Sequence, residues 1–169
     1  MRLKNLIKDC SADAGEIEIT SLVVKSSTAK KGSMFFALKG VKNDGSEYVE
    51  EAVKNGAVCI ISEKECDGFG AIVIKVDDDR RVLAEISARF YNNPQIGMKF
   101  VGITGTNGKT TITYMLKSIL EEMGKKVGVI GTIKNMIGDV EVKSSMTTPL
   151  PAQLYKLIAD MRDAGVEYL

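Results

Sequence analysis

Gly108-Lys109-Thr110 is the part of this chain whose residue types best suit chemistry on a phosphate. A lysine ammonium there can reach the outer oxygens of a polyphosphate, and the adjoining threonine hydroxyl can ligate Mg²⁺. The three residues close the stretch Gly102-Ile103-Thr104-Gly105-Thr106-Asn107-Gly108-Lys109-Thr110-Thr111. Without side chains at Gly105 and Gly108, the backbone can approach an anion and aim its N–H groups at the oxygens. The general phosphate loop has its first glycine five residues before the one preceding lysine; Ile103 stands there, and Gly102 lies one place too early. An ordinary strand-to-helix turn with a surface lysine is the bland alternative, and the flanking residues argue against it.

Such a loop needs a strand before it and a helix after it. Phe100-Val101-Gly102-Ile103 reads as a buried strand. Ile112, Met115, Leu116, Ile119, Leu120 and Met123 recur at helical spacing, so a helix is expected from Lys109, with Gly124 as its stop. Its N-terminus would add partial positive charge at the loop. Residues 126–131 form a further apolar strand. Residues 132–145 are polar, with Val140 and Val142 pointing to a short hairpin. Thr147-Thr148-Pro149 introduces a helix bearing Leu154, Leu157, Ile158 and Met161, ended by Gly165, and residues 166–169 start a third strand. A β-α-β-α-β series of this kind implies a parallel sheet. About three strands are fewer than the roughly five or six of a typical sheet, so this domain is expected to be only partly present.

The first half of the chain has its own pattern. A helix is expected over residues 3–10 and a half-buried strand over the alternating residues 16–24. A second strand, 33–38, is closed by Gly40, and 41–45 is a loop by its turn residues. Tyr48, Val49, Ala52 and Val53 make the apolar face of a helix that ends at Asn55-Gly56. Strands follow over 57–61 and 71–76. Asp77-Asp78-Asp79 then precedes a helix bearing Leu83, Ile86 and Phe90; capping explains these aspartates more simply than a metal site does. Asn92-Asn93-Pro94 ends that helix and residues 94–98 read as a linker. The expected organisation is α/β, with one small domain over 1–97 and the start of a second over 98–169.

Composition narrows the chemistry. Of 169 residues, 44% are hydrophobic and 27% charged, and a net charge of +1 favours neither nucleic acid nor an anionic membrane as partner. No apolar run is long enough to span a bilayer, and the N-terminus lacks the apolar core of a signal peptide. A cytoplasmic location is expected. Histidine is absent, which removes Ser-His and Cys-His pairs and His-ligated metals. Cys10, Cys59 and Cys66 lack zinc-ligand spacing and read as reduced thiols, Cys59 as a buried small hydrophobe.

Across essentially its whole length the sequence resembles the Mur ligases of bacterial peptidoglycan synthesis. The 102–111 stretch looks like that family's ATP loop, which accounts for the displaced first glycine. Gly32-Ser33-Met34-Phe35-Phe36-Ala37-Leu38-Lys39-Gly40, with Asn43-Asp44-Gly45 and Tyr48, resembles its UDP-binding domain. Gly131-Thr132 followed by Thr147-Thr148-Pro149 is similar to the members that add the third residue of the stem peptide, rather than a D-Ala-D-Ala dipeptide.

The resemblance implies roles for particular residues. Gly105, Thr106, Asn107, Gly108, Lys109, Thr110 and Thr111 would hold ATP, with Thr110 on Mg²⁺ and Lys109 as the catalytic cation. Val24, Ser26, Val41, Lys42 and Asn43 would contact the UDP part of the substrate, and Thr147 and Thr148 its muramoyl-dipeptide part. The implied reaction joins a diamino acid to UDP-MurNAc-L-Ala-D-Glu through an acyl phosphate, driven by ATP. Three departures accompany it. Lys25-Ser26-Ser27 stands where the family usually has Asp-Ser-Arg, and Met146 replaces a residue that is often polar. The Glu-Val-Ser-Ser-His segment, the modified lysine and the amino-acid-binding domain are not in the sequence, so the 169 residues alone are expected to be inactive. Two other readings stand beside this one: a non-catalytic nucleotide-binding module, and another ligase of the fold, dipeptide-adding or folylpolyglutamate-type. The residue types alone make Ser26 a turn residue, Val24 a core residue and Lys42-Asn43-Asp44-Gly45 a β-turn.

Overall fold

Met34, Phe35 and Phe36 are apolar in succession, a pattern that suits a strand covered on both faces, as in parallel sheets. They lie at the centre of the first of two compact units, Met1–Phe90 and Tyr91–Leu169. The structure is a computed structural model and describes residues 1–7, 12–40, 44–131, 133–142 and 149–169.

In the first unit a short helix α1 (Ala12–Gly15) leads to β1 (Ser21–Val23) and β2 (Ser33–Phe36). A helix α2 (Val49–Lys54) then connects to β3 (Ala57–Ser62) and β4 (Ile72–Lys75), and α3 (Asp79–Phe90) closes the unit. The four strands are parallel in the order β1-β2-β3-β4, with Val23 opposite Phe35, Phe35 opposite Ile60 and Ile60 opposite Val73. Phe35 and Ile60 share a face and pack with Val49 and Ala52 of α2. Met34, Phe36, Cys59 and Ile61 alternate with them and are also buried, as are Leu83 and Ile86 of α3. Asp78 caps α3: its carboxylate accepts the Arg81 N–H at 2.8 Å.

The expected N-terminal helix is a correction. Only a 3-10 turn, Leu3–Asn5, forms there, and residues 8–11 lie outside the described ones. Leu3 and Leu6 look helical by spacing, but the backbone is committed elsewhere. Leu3 N–H donates to the Ile17 carbonyl at 2.9 Å, the N-terminal ammonium donates to Ile19, and Arg2 bridges Glu18 antiparallel. That pairing also shortens the strand expected over 16–24 to Ser21–Val23 within the sheet.

In the second unit α4 (Lys109–Glu122) is followed by β5 (Gly128–Val129), β6 (Asn135–Ile137), β7 (Val140–Val142) and α5 (Pro151–Asp163). β5, β6 and β7 form an antiparallel sheet in that order. The parallel layer is rudimentary: Tyr168 bridges both Lys99 and Val127 in parallel, so the C-terminal segment lies between the other two. Val101 N–H donates to the Leu169 carbonyl, and Gly128 N–H to the Tyr168 carbonyl, each at 2.8 Å. Leu157 and Met161 of α5 pack on this layer with Val166, Ile130 and Leu169. A Cβ on Gly128 would lie 2.9 Å from the Met161 sulfur, so glycine permits that close approach. Arg162 donates to the carbonyls of Tyr91 and Asn92, which ties that stretch to the second unit. Among the described residues no helix is long and apolar enough to cross a membrane.

One expectation about burial in this unit is corrected. Phe100 and Val101 are about half exposed, because only residues 99–101 pair, and on one side. α4 has the expected start and the expected Gly124 stop, with φ +74° at that glycine. Ile112, Met115, Ile119 and Met123 are exposed, while Lys117 is buried and bonds Glu121 at 2.6 Å.

Candidate functional site

Gly105 and Gly108 take left-handed backbone conformations, with φ +152° and +78°, and Gly108 caps the start of α4. L side chains rarely adopt such angles, so these two positions need glycine for conformation as well as for approach. The loop presents an open lip: a Cβ built on Gly102 would meet nothing within 4 Å, and one on Gly108 only the Ile112 methyl at 3.9 Å. Thr106, Asn107, Lys109, Thr110 and Thr111 are exposed along it. The Lys109 ammonium folds back to donate to the Gly105 carbonyl. Thr113, one turn on, donates its hydroxyl to the Lys109 carbonyl at 2.8 Å, which steadies the first turn.

Lys109 and Thr110 open onto a cleft of about 310 Å³, shared with Tyr114, Gly131 and Lys134. Its walls are α4 on one side and the β5 end with the start of the β6–β7 hairpin on the other. A second cleft of about 200 Å³ lies between α4 and the parallel layer, with Lys117, Leu120 and Tyr168 in its walls. The first is the candidate site. Free N–H groups at a helix start, a cation and a hydroxyl converge there, the donor set that a polyphosphate with Mg²⁺ requires. Lys134 pairs with Glu141 across the hairpin, and this bond holds its ammonium above the usual lysine range.

The residues expected at a uridine site are in the first unit. Val24 is half-buried. Ser26 is buried in a 3-10 turn, Ser26–Thr28, between β1 and β2; its hydroxyl donates to Glu51 at 2.6 Å, and its carbonyl accepts from the Asn55 amide at 3.0 Å. Its hydroxyl lone pair is what remains for a ligand. Val41, Lys42 and Asn43 lie outside the described residues, as do Thr147 and Thr148. The stems around 41–43 are firmly held. Lys39 and Asp44 bridge antiparallel, Arg80 donates to the Lys39 carbonyl at 3.1 Å, and Lys64 bonds Asp44. The Lys64 bond, and donation from the Ser46 N–H and hydroxyl, hold the Asp44 carboxyl far below the usual carboxylate range. Asp79 accepts from the Lys39 N–H, yet burial and then Glu63 push it up. Glu63, Asp78 and Asp79 do gather within 4.8 Å of one another, but the backbone N–H groups of Asp79 and Arg81 already occupy Glu63 and Asp78.

Residue types therefore led to Lys109 and Thr110 of one cleft and to the glycines of the loop that precedes them. They missed Tyr114 and Lys134, which reach it through helix phase and hairpin pairing. Nothing in the local sequence around Lys134 could have singled it out.

Comparison with known proteins bears on the same two regions. Residues 103–169 match the family described as Mur ligase middle domain, and residues 18–91 the one described as Mur ligase family, catalytic domain. The chain is 43% identical over 173 residues to the UDP-N-acetylmuramoyl-L-alanyl-D-glutamate--2,6-diaminopimelate ligase of Caldanaerobacter subterraneus subsp. tengcongensis, covering 100% of this chain and 36% of that protein. It is 40% identical over 176 residues to the ligase of the same name from Clostridium tetani, covering 99% of this chain and 36% of that protein. Among solved structures, a ligase of this name superimposes with a TM-score of 0.78 at 22% identity over 99% of this chain and 34% of the other, a likeness of fold. The MurF ligase from Thermotoga maritima in complex with ADP gives a TM-score of 0.57 at 26% identity over 80% of this chain and 28% of the other. The chain spans about a third of the length of the curated relatives it matches.

Proposed function

The chain belongs to the Mur ligase family, and we propose that it supplies the UDP-substrate unit and the nucleotide-binding part of an ATP-dependent ligase of peptidoglycan precursor synthesis. The reaction is the joining of 2,6-diaminopimelate, the diamino acid in the relatives' names, to UDP-MurNAc-L-Ala-D-Glu. Its setting is the cytoplasm.

The single observation that carries this reading is the open glycine lip at the start of α4, with Lys109 and Thr110 facing one cleft. Residues 105–111 hold the triphosphate through backbone N–H groups and the positive helix end. Lys109 leaves the Gly105 carbonyl for the outer phosphate, where it offsets charge that builds as the γ-phosphoryl group moves. The donor set fits Mg²⁺, which would rest on the Thr110 hydroxyl and lend Lewis acidity to the phosphoryl oxygens. The D-Glu side-chain carboxylate attacks the γ-phosphorus and the bond to ADP breaks. The incoming amine then attacks the acyl carbon, and phosphate leaves as the amide forms. Thr147 and Thr148 hold the dipeptide part. Val24, Ser26, Val41, Lys42 and Asn43 hold the UDP part, the Ser26 hydroxyl oxygen accepting an N–H while the hydroxyl still donates to Glu51.

Calorimetry and chemical-shift titration of the 169-residue chain test the reading. Heat and shifts are expected with Mg-ATP at the second unit and with UDP at the first. Silence from both methods at millimolar ligand overturns it. The same chain, free of host enzyme, is expected to make no UDP-MurNAc-tripeptide, because it spans only about a third of the length of the ligases it matches.

A further inference from the structure

The cleft that takes Lys109 and Thr110 carries a second cation. Lys134 stands across it, immediately before β6, and among the described residues that line the cleft there is no carboxylate. The Lys134 side chain is about one-third exposed. Its partner Glu141 is 62% exposed, and such open ion pairs hold weakly and exchange readily. Both lysines are therefore parked: Lys109 on a backbone carbonyl, Lys134 on a surface carboxylate. Thr110 and Tyr114, each with a hydroxyl, also line the cleft and bring no carboxylate to it.

We propose that Lys134 is a second ligand-binding cation of this cleft, which leaves Glu141 to contact an anionic oxygen of the bound molecule opposite Lys109. This deepens the proposed function and rests on it for the identity of the cleft. The oxygen belongs either to the polyphosphate or to a carboxylate of the dipeptide substrate that accepts the phosphoryl group, both of which present a charged oxygen to an ammonium. Glu141 acts as a competitor that keeps the ammonium near the cleft when no ligand is present.

The test uses the 169-residue chain, with tripolyphosphate and the dipeptide L-Ala-D-Glu as separate probes, in calorimetry at low salt. Lys134→Met is expected to weaken one of the two by about three- to tenfold, as for loss of one charge-assisted contact; the probe affected identifies the oxygen. Glu141→Gln is expected to act in the opposite sense and tighten the same probe about twofold, because it frees the ammonium. A purely structural role for the hairpin pair would make both variants weaken binding together, and that result overturns the proposal. So does unchanged binding of both probes by Lys134→Met while Lys109→Met loses tripolyphosphate; the phosphate-cleft reading then stands without Lys134. If the parent chain binds neither probe, the proposal and the reading of the cleft fall together.

Discussion

Both units contain a strand, helix, parallel-strand step, β2-α2-β3 in the first and the connections through α4 and α5 in the second, with very different completeness. In the first, β2 has a hydrogen-bonded neighbour on each side and apolar cover on each face, so every one of its residues is buried. In the second, the parallel layer rests on single bridges through Tyr168, and α4 carries Ile112, Met115, Ile119 and Met123 outward. Periodicity tells a segment that it is a helix; how many strands lie alongside decides which of its faces is covered. The proposed function divides the same way. The closed unit offers a frame for a loop and its stems, while the open unit offers a lip whose exposed glycines suit the phosphate binding proposed for it.

The largest effect should come from the closed core. Phe36→Ala removes a fully buried ring, and a loss of about 3–5 kcal/mol is expected in urea denaturation. A loss below about 1 kcal/mol would mean the first unit is packed no better than the second, and the contrast would collapse.

Gly128→Ala asks whether the open unit has a tight spot of its own. The new methyl would meet the Met161 sulfur at 2.9 Å and the Leu169 methyl at 3.2 Å. Both are ends of flexible side chains, so overpacking should cost about 1–3 kcal/mol in the same urea titration. A neutral result would show that the α5 contact is loose.

How far these differences were legible beforehand can be traced residue by residue. β2 and β3 stood out because strands buried on both faces are apolar in succession. α4 was legible in extent, since Gly108 and Gly124 set its ends, but not in phase. Apolar residues at 112, 115, 116, 119, 120 and 123 span a wide arc, and tertiary contacts choose which part of it is covered. The N-terminal helix failed because Leu3 and Leu6 fit a helix locally, while Leu3 N–H is taken by Ile17, a partner beyond any local window. At the site, Gly108-Lys109-Thr110 was readable because backbone approach, charge and hydroxyl are adjacent in sequence. Lys134 was not, because the β5–β6 pairing brings it to the cleft.

Titration separates the two carboxylates at the stems of residues 41–43. Asp44 is lowered in the fold, so its contribution to stability is present above the ordinary carboxylate range, about 4, and is lost as pH falls toward the lowered value. Asp79 is raised, so its burial as an anion weighs against folding at neutral pH and is relieved as pH drops through the raised value. Melting temperature measured from pH 7 to 3 should therefore fall less steeply at the acid end in Asp44→Asn than in the parent. Asp79→Asn should lose the parent's gain on mild acidification. Identical slopes in all three proteins would remove the stems from the account of the first unit.

The smallest effect should come from the exposed stripe of α4. Ile119 is 59% exposed, so Ile119→Ala gives up little burial, and alanine is the better helix former. A change within about 0.5 kcal/mol is expected by urea denaturation at low protein concentration. The informative measurement is the same titration at several concentrations. If the stripe stays open in solution, the small effect holds at every concentration. If the cost rises with concentration toward that of a core residue, the stripe is being covered by another copy. The second unit would then be closed by association rather than open, and the distinction between the two units would hold only for the isolated chain.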